Sequence, residues 1–505
     1  MKIIPLACAL CVVAAACTGA GPIPVPVAEP GIVHFPDNER IPPEALAEMF
    51  RAELGPAYDP VQAGALAPAH ALVEKYFHIR SGAGRKQVVT ALEATKVSPN
   101  VLGRIARIRA DWPALAGGGI FYVNEKPGAY PVRYFLGVPK GYDRTKPWPI
   151  AVTLAGSQPF QTDPPPDAKR VVELYTGWIQ TELAKHPDAL VLMPLLSLEE
   201  LYGPSYAGMH SVMKPLLDAA DHVNIDPARA YLAGISMGAQ ASWNLALHYP
   251  TYFAAFNPLA GTANEDWQRV RLMNLRNVLP VVWHDDDDKV VKVNFSKSLV
   301  TELKRLKIDV DFSETKGVGH YPTPEIVEAA YQKMRQHARN LYPPEVWIQT
   351  SRPDVMFNRS DWVQIYQELN PGKTGRLFFP RSSGYMTVYS ESCSVKADVK
   401  NNVITATADN VETARFYVND QMVNFAAPVT LIVNKRERFK GVLKPSVDEM
   451  LRDQINLGRG WRYYTAAIDL TTVESGPSSL PATRPATRPL QRGRIIVGPP
   501  PDKQP

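Results

Sequence analysis

Three residue types in one order carry the chemistry open to this chain: Ser236, an aspartate among Asp285–Asp288, then His320. A neutral serine hydroxyl is a poor nucleophile. It needs a histidine to take its proton and a carboxylate to orient that histidine. Ser236 lies in Gly234-Ile235-Ser236-Met237-Gly238, after the apolar run Ala230–Ala233 and before the helix-forming residues Ala239–His248. That pattern predicts a strand, a sharp turn and a helix, with the serine lifted at the corner. The acid follows the apolar run Leu279–Trp283, in His284-Asp285-Asp286-Asp287-Asp288-Lys289. Four adjacent carboxylates repel one another, so one is expected to turn inward and the others to face water. The plainer readings of such a run are a solvated loop or a cation site. His320 lies in Gly317-Val318-Gly319-His320, a loop able to bring an imidazole back over a sheet. His284 on the acid strand, and His248 and His337 inside helices, are poorer candidates.

An acyl-transfer site also needs two N–H groups aimed at developing negative charge. One is expected from Met237, the residue after the serine. The other is expected from the loop after Pro149–Leu154, at Ser157, with Gln158 as second choice; Gly156 there permits close approach.

The elements needed to hold these residues are legible. Pro149–Leu154 and Ala189–Pro194 are near-continuous apolar runs, as buried parallel strands require. Helical stretches at Val171–Lys185, Ser211–His222, Lys292–Leu306 and Pro324–Leu341 alternate with strands at Phe253–Leu259, Leu279–His284 and Val310–Ser313. Asn224–Arg229 reads as a turn into the strand before Ser236. The alternation predicts an α/β class with a doubly wound, mostly parallel sheet over residues 119–343. Residues 41–118 read as a helical subdomain, with Pro43 and Pro68 opening helices and Pro99–Ala110 forming another. Short strands with turn signals over residues 344–471 predict a β-sandwich-like domain. Residues 472–505 repeat Ala-Thr-Arg-Pro and cannot bury a core.

Apolar residues make up 45% of the 505, enough for a sizeable core, and the net charge of +5 is dispersed. Without a basic cluster interleaved with aromatics, nucleic acid is not an expected partner. Residues 1–17 read as an export signal: Lys2, the apolar run Ile3–Val13, then Ala14-Ala15-Ala16-Cys17. Small residues before a cysteine resemble a bacterial lipoprotein cleavage box, which would leave lipid on Cys17 and membrane attachment. A plain signal peptide is the alternative. The Pro-rich residues 18–40 would then be a tether. Of the four cysteines only Cys393 would remain in the folded part, so no internal disulfide is expected. No metal or cofactor is expected.

These segments together resemble the α/β-hydrolase superfamily. The nearest resemblance is to secreted polyhydroxybutyrate depolymerases, feruloyl esterases and the prolyl oligopeptidase catalytic domain. Such proteins carry Asn-x-Asp-x-x-Arg before Gly-x-Ser-x-Gly-Gly, then His-Gly-x-x-Asp-x-x-Val and Gly-Gly-His. The matching stretches are Asn224–Arg229, Gly234–Gly238, His284–Val291 and Gly319-His320. The resemblance implies Asp288 as the acid, with Asp286 second, and a carboxylic ester hydrolase using Ser236, Asp288 and His320. Its substrate would be a small ester or an ester linked to an oligosaccharide. Alternatives are a serine peptidase with the same machinery and a binding protein on a hydrolase fold. Ala155 and Ala239 depart from the family's His and Gly. Trp347, Trp362 and Trp461 are candidates for a sugar platform, although core anchors are the plainer reading.

Overall fold

In a computed structural model, the described residues are 34–125, 132–156, 168–195, 206–263, 266–350, 358–370, 372, 374–379, 384–389 and 392–472. Eight strands form the main sheet: β1 (Gly119–Glu125), β2 (Val132–Val138), β3 (Trp148–Leu154), β4 (Leu190–Pro194), β5 (Ile225–Ile235), β6 (Ala255–Leu259), β7 (Leu279–Asp285) and β8 (Asp311–Thr315). Their order across the sheet is β1-β2-β4-β3-β5-β6-β7-β8. β2 runs against both of its neighbours, while β3 to β8 pair in parallel. The strands that read as continuous apolar runs are the ones buried on both faces: every residue of β4 and β6 is buried. Asn224–Arg229 is not a separate turn. Residues Ile225 onward already belong to β5, which is eleven residues long.

Helices Ala168–Lys185, Tyr206–His222, Met237–His248, Val293–Arg305 and Pro324–Arg335 cover the sheet. Apart from the exposed Gln240, the Met237–His248 helix is buried from Gly238 to its end, and its Ala- and Leu-rich sequence suits a helix packed on nearly all sides.

The N-terminal helices are Pro43–Leu54, Ala63–His78, Gly82–Ala94 and Pro99–Ile105. Two differences from the sequence reading have physical causes. Pro68 lies inside its helix rather than opening it; the proline and Gly64, whose carbonyl it leaves without a donor, both face solvent. The last helix stops at Ile105, and Asp111–Pro113 instead pairs with Asn38–Arg40, inside the stretch read as a tether. The helices share a core with Val447, Met450 and Leu451 of a helix at Val447–Leu457, so they pack on the C-terminal part as well.

That C-terminal part contains a five-stranded sheet, which includes Glu345–Thr350 and Cys393–Lys400, and a four-stranded sheet, which includes Val363–Glu368 and Val411–Val418. Val346, Ile348 and Phe416 from these sheets, and Trp362 in the turn before Val363–Glu368, belong to the same apolar core as Trp243, Phe256 and Leu275 of the α/β part. Cys393 is buried and unpaired. Among the described residues no helix is long and apolar enough to cross a membrane, and no group of His, Cys, Asp and Glu side chains could hold a metal ion. Residues 1–33 and 473–505, with the expected signal, Cys17 and the terminal repeat, lie outside the described residues.

Candidate active site

The parallel strands deliver the candidate residues to one edge. Beyond the end of β5, the Ser236 N–H donates to the Leu259 carbonyl at 2.9 Å. Beyond β6, the Ala260 N–H donates to the Trp283 carbonyl at 3.1 Å, and beyond β7 the Asp286 N–H donates to the Thr315 carbonyl at 3.0 Å. Ser236, the acid loop and the histidine loop therefore leave the sheet at its C-terminal edge, where open α/β sheets bind ligands. β5 and β7 are separated only by β6, about 10 Å at ordinary strand spacing.

Ser236 has φ 55° and ψ −114°. A non-glycine residue in that region costs on the order of 1–3 kcal/mol and persists only where its surroundings impose it. The surroundings here are close-packed backbone. A Cβ on Gly238 would meet the Leu154 carbonyl and lie 2.7 Å from that of Ala155. Ala239, which departs from the family pattern, has its methyl fully buried. Room for it comes from Gly261: a Cβ there would lie 2.5 Å from the Ala239 Cβ and 2.8 Å from the Ser236 carbonyl. Met237 is the first helical residue, so its N–H has no partner within the helix. Gly156 lies beside the turn, its Cβ position 3.8 Å from the Ser236 Cβ. Ser157 and Gln158, the expected second N–H donors, lie outside the described residues.

Asp288 and His320 are brought together. His320 Nδ1 is 2.8 Å from Asp288 Oδ2, and both residues are buried. Since the carboxylate only accepts, Nδ1–H donates and Nε2 is left as the free base. Asp288 Oδ1 accepts from the N–H groups of Val290 at 2.8 Å and Val291 at 2.9 Å. Burial pushes the Asp288 pKa up. The His320 hydrogen bond and the two N–H groups outweigh that, and it ends below the ordinary carboxylate value. Asp286, the second choice, is exposed, as is Asp287.

The expectation that one aspartate turns inward and three face water is corrected, because Asp285 is also fully buried. Parallel register sets it opposite Thr315, whose hydroxyl donates to Asp285 Oδ2 at 2.7 Å. The same carboxylate accepts from the N–H groups of Val318 at 3.1 Å, Gly319 at 2.9 Å and Asp287 at 3.0 Å. Burial raises its pKa, but the Gly319 N–H, the Thr315 hydroxyl and the other donors outweigh that and bring it to about 2. His284 is a further buried neighbour. Its Nε2 lies 2.7 Å from the Val291 carbonyl and 3.2 Å from Asp288 Oδ2, and its Nδ1 lies 2.7 Å from Ser296 Oγ. Nε2 therefore carries the proton and Nδ1 accepts from the serine. Sequence reasoning set His284 aside, held Asp285 only as one of four candidate acids, and missed Thr315 and Ser296. One signal was available: residue 285 stands where the related motif has glycine.

Of the tryptophans considered as a sugar platform, Trp362 and Trp461 are buried core residues. Trp347 is partly exposed and lies under Lys396 Nζ, 4.3 Å from the ring centre, and Arg276.

No protein-family model and no curated protein matches the chain. Solved structures do. A thermostable esterase is 23% identical over 45% of this chain, with a TM-score of 0.37; the match spans 64% of that esterase, under two thirds of its length. A ferulic acid esterase from Anaeromyces mucronatus is 15% identical over 43% of this chain and 89% of its own, with a TM-score of 0.33. A protein of Bacteroides ovatus assigned as a dipeptidyl aminopeptidase IV is 14% identical over 46% of this chain and 37% of its own, with a TM-score of 0.32. The strand order, with β2 alone reversed and the strained turn leaving β5, gives this chain the α/β-hydrolase fold.

Proposed function

We propose that the chain is a serine hydrolase that cleaves carboxylic esters through an acyl-enzyme. Ser236 Oγ attacks the ester carbonyl carbon while His320 Nε2 takes its proton. Asp288 holds the imidazole in the tautomer that leaves Nε2 free and stabilises the imidazolium. The Met237 N–H, with a second N–H assigned to Ser157, stabilises the oxyanion. His320 then protonates the departing alkoxide, and water repeats the sequence to release the acid. The observation that carries this reading is the backbone of Ser236, held at φ 55° at the sheet edge that also holds the Asp288–His320 hydrogen bond. The ester class rests on the resemblance of the motifs to esterases, and a peptidase would use the same groups. We also propose an extracytoplasmic location with lipid on Cys17, supported by the residue pattern before that cysteine.

The test is hydrolysis of p-nitrophenyl acetate, a feruloyl ester and a peptide amide by the wild type and by Ser236→Ala. Turnover of an ester, lost by about 10⁶-fold in the variant, is the expected result. An unaffected variant contradicts the nucleophile, and turnover of the amide alone contradicts the ester class.

A further inference from the structure

Asp285 lies outside the Ser236–Asp288–His320 set, yet it is the most heavily hydrogen-bonded carboxylate at this edge. It accepts from four donors, and two of them are consecutive N–H groups of the loop that carries His320. Those two, Val318 and Gly319, directly precede the histidine. Asp288 fixes the imidazole from its Nδ1 side, but one hydrogen bond to a ring leaves the backbone beneath it free to shift. The glycines at 317 and 319 have φ 71° and 83° and give that segment little stiffness of its own. The carboxylate of Asp285 supplies the missing constraint from inside the sheet. It is itself held by the Thr315 hydroxyl, which also accepts from Trp283 Nε1 at 3.1 Å.

We propose that Asp285 is a positioning residue that clamps the 318–319 backbone and thereby sets where His320 stands over the sheet edge. The kinetic part of this proposal rests on the hydrolase reading above; the clamp itself does not. A misplaced general base lowers turnover far more than binding, so the effect falls on kcat.

The experiment uses the full chain and Asp285→Asn, which keeps the size of the side chain but loses its charge and presents N–H groups to N–H donors. Hydrogen exchange is followed at residues 316–321, with kcat and KM for p-nitrophenyl acetate hydrolysis measured at neutral pH. Exchange of the Val318 and Gly319 amides is expected to quicken at least about tenfold. The kcat is expected to fall between about tenfold and a hundredfold with KM within about twofold. Unchanged exchange at 318 and 319 overturns the clamp. Quickened exchange with kcat within about twofold of wild type overturns the positioning role. If wild type hydrolyses no ester and takes no fluorophosphonate label, the hydrolase reading fails, and exchange alone still decides the clamp. Should Asp285→Asn not fold, Thr315→Val removes one of the four donors and leaves the charge. It is expected to quicken the same two amides, and no change there counts against the proposal.

Discussion

Asp288 and Asp286 are two residues apart, and their surroundings separate them completely. Asp288 is buried against His320, His284 and two backbone N–H groups; Asp286 faces water. Asp288→Asn is expected to lower kcat by about 10³–10⁴-fold, since an amide cannot hold the imidazole in the working tautomer. Asp286→Asn is expected to stay within about twofold of wild type. Steady-state kinetics on the two variants checks both. Asp285 supplies a pH prediction. Its folded pKa, about 2, lies below the ordinary value, so its stabilising contribution is complete above about pH 4 and is lost as pH falls towards 2. Wild type should therefore melt higher than Asp285→Asn at neutral pH, with the gap closing between about pH 4 and pH 2. A gap independent of pH would contradict the charged clamp. Ser236, His320 and an aspartate within 285–288 were legible as candidates because chemistry demands those residue types in that order; the choice of Asp288 among the four came from the resemblance. The role of Asp285 was not legible, because it depends on which strand lies beside β7 and in what register, and neither is written in the local sequence.

The elbow shows what an element adds to its residues. In the sequence, Ala239 departs from the second glycine of the Gly-x-Ser-x-Gly-Gly pattern that this stretch resembles. The structure moves the missing space to Gly261, twenty-two residues on, at the exit of β6. Such an exchange between elements cannot be read along the chain. Gly261→Ala is expected to destabilise the protein by about 1–3 kcal/mol through overpacking and to lower kcat by shifting the elbow. Adding Ala239→Gly is expected to recover part of the loss, the remaining clash being with the Ser236 carbonyl. Thermal unfolding of both single variants and the double variant checks this; strict additivity would contradict the contact. Most helices and strands of the α/β part were legible from apolar runs and alternation. The errors had separate causes: Pro68 is tolerated inside its helix because it and the carbonyl it leaves without a donor face solvent, and the chain after Ile105 leaves the helix to pair Asp111–Pro113 with Asn38–Arg40.

At the scale of the molecule, the boundary drawn near residue 343 is not a boundary of cores. Arg339, just before it, donates to both oxygens of Asp361, at 2.8 and 2.6 Å, and to the carbonyls of Phe253 and Asn277. Both charged groups are buried, and Arg462 lies 3.9 Å from the same carboxylate. Asp361→Asn is expected to cost about 3–5 kcal/mol, because it leaves buried arginine charge uncompensated. Chemical denaturation of this variant measures that cost, and a loss under about 1 kcal/mol would show the pair to be immaterial. The long-range pairing between residues 339 and 361 explains why composition could suggest two domains while the folded chain joins them through one core. The central claim concerns Ser236, and the most direct measurement is mass spectrometry of the full chain after reaction with a fluorophosphonate. A single adduct on the peptide containing Ser236, absent from Ser236→Ala and from heat-unfolded protein, is the expected result; an adduct elsewhere, or none on protein that hydrolyses an ester, would contradict it.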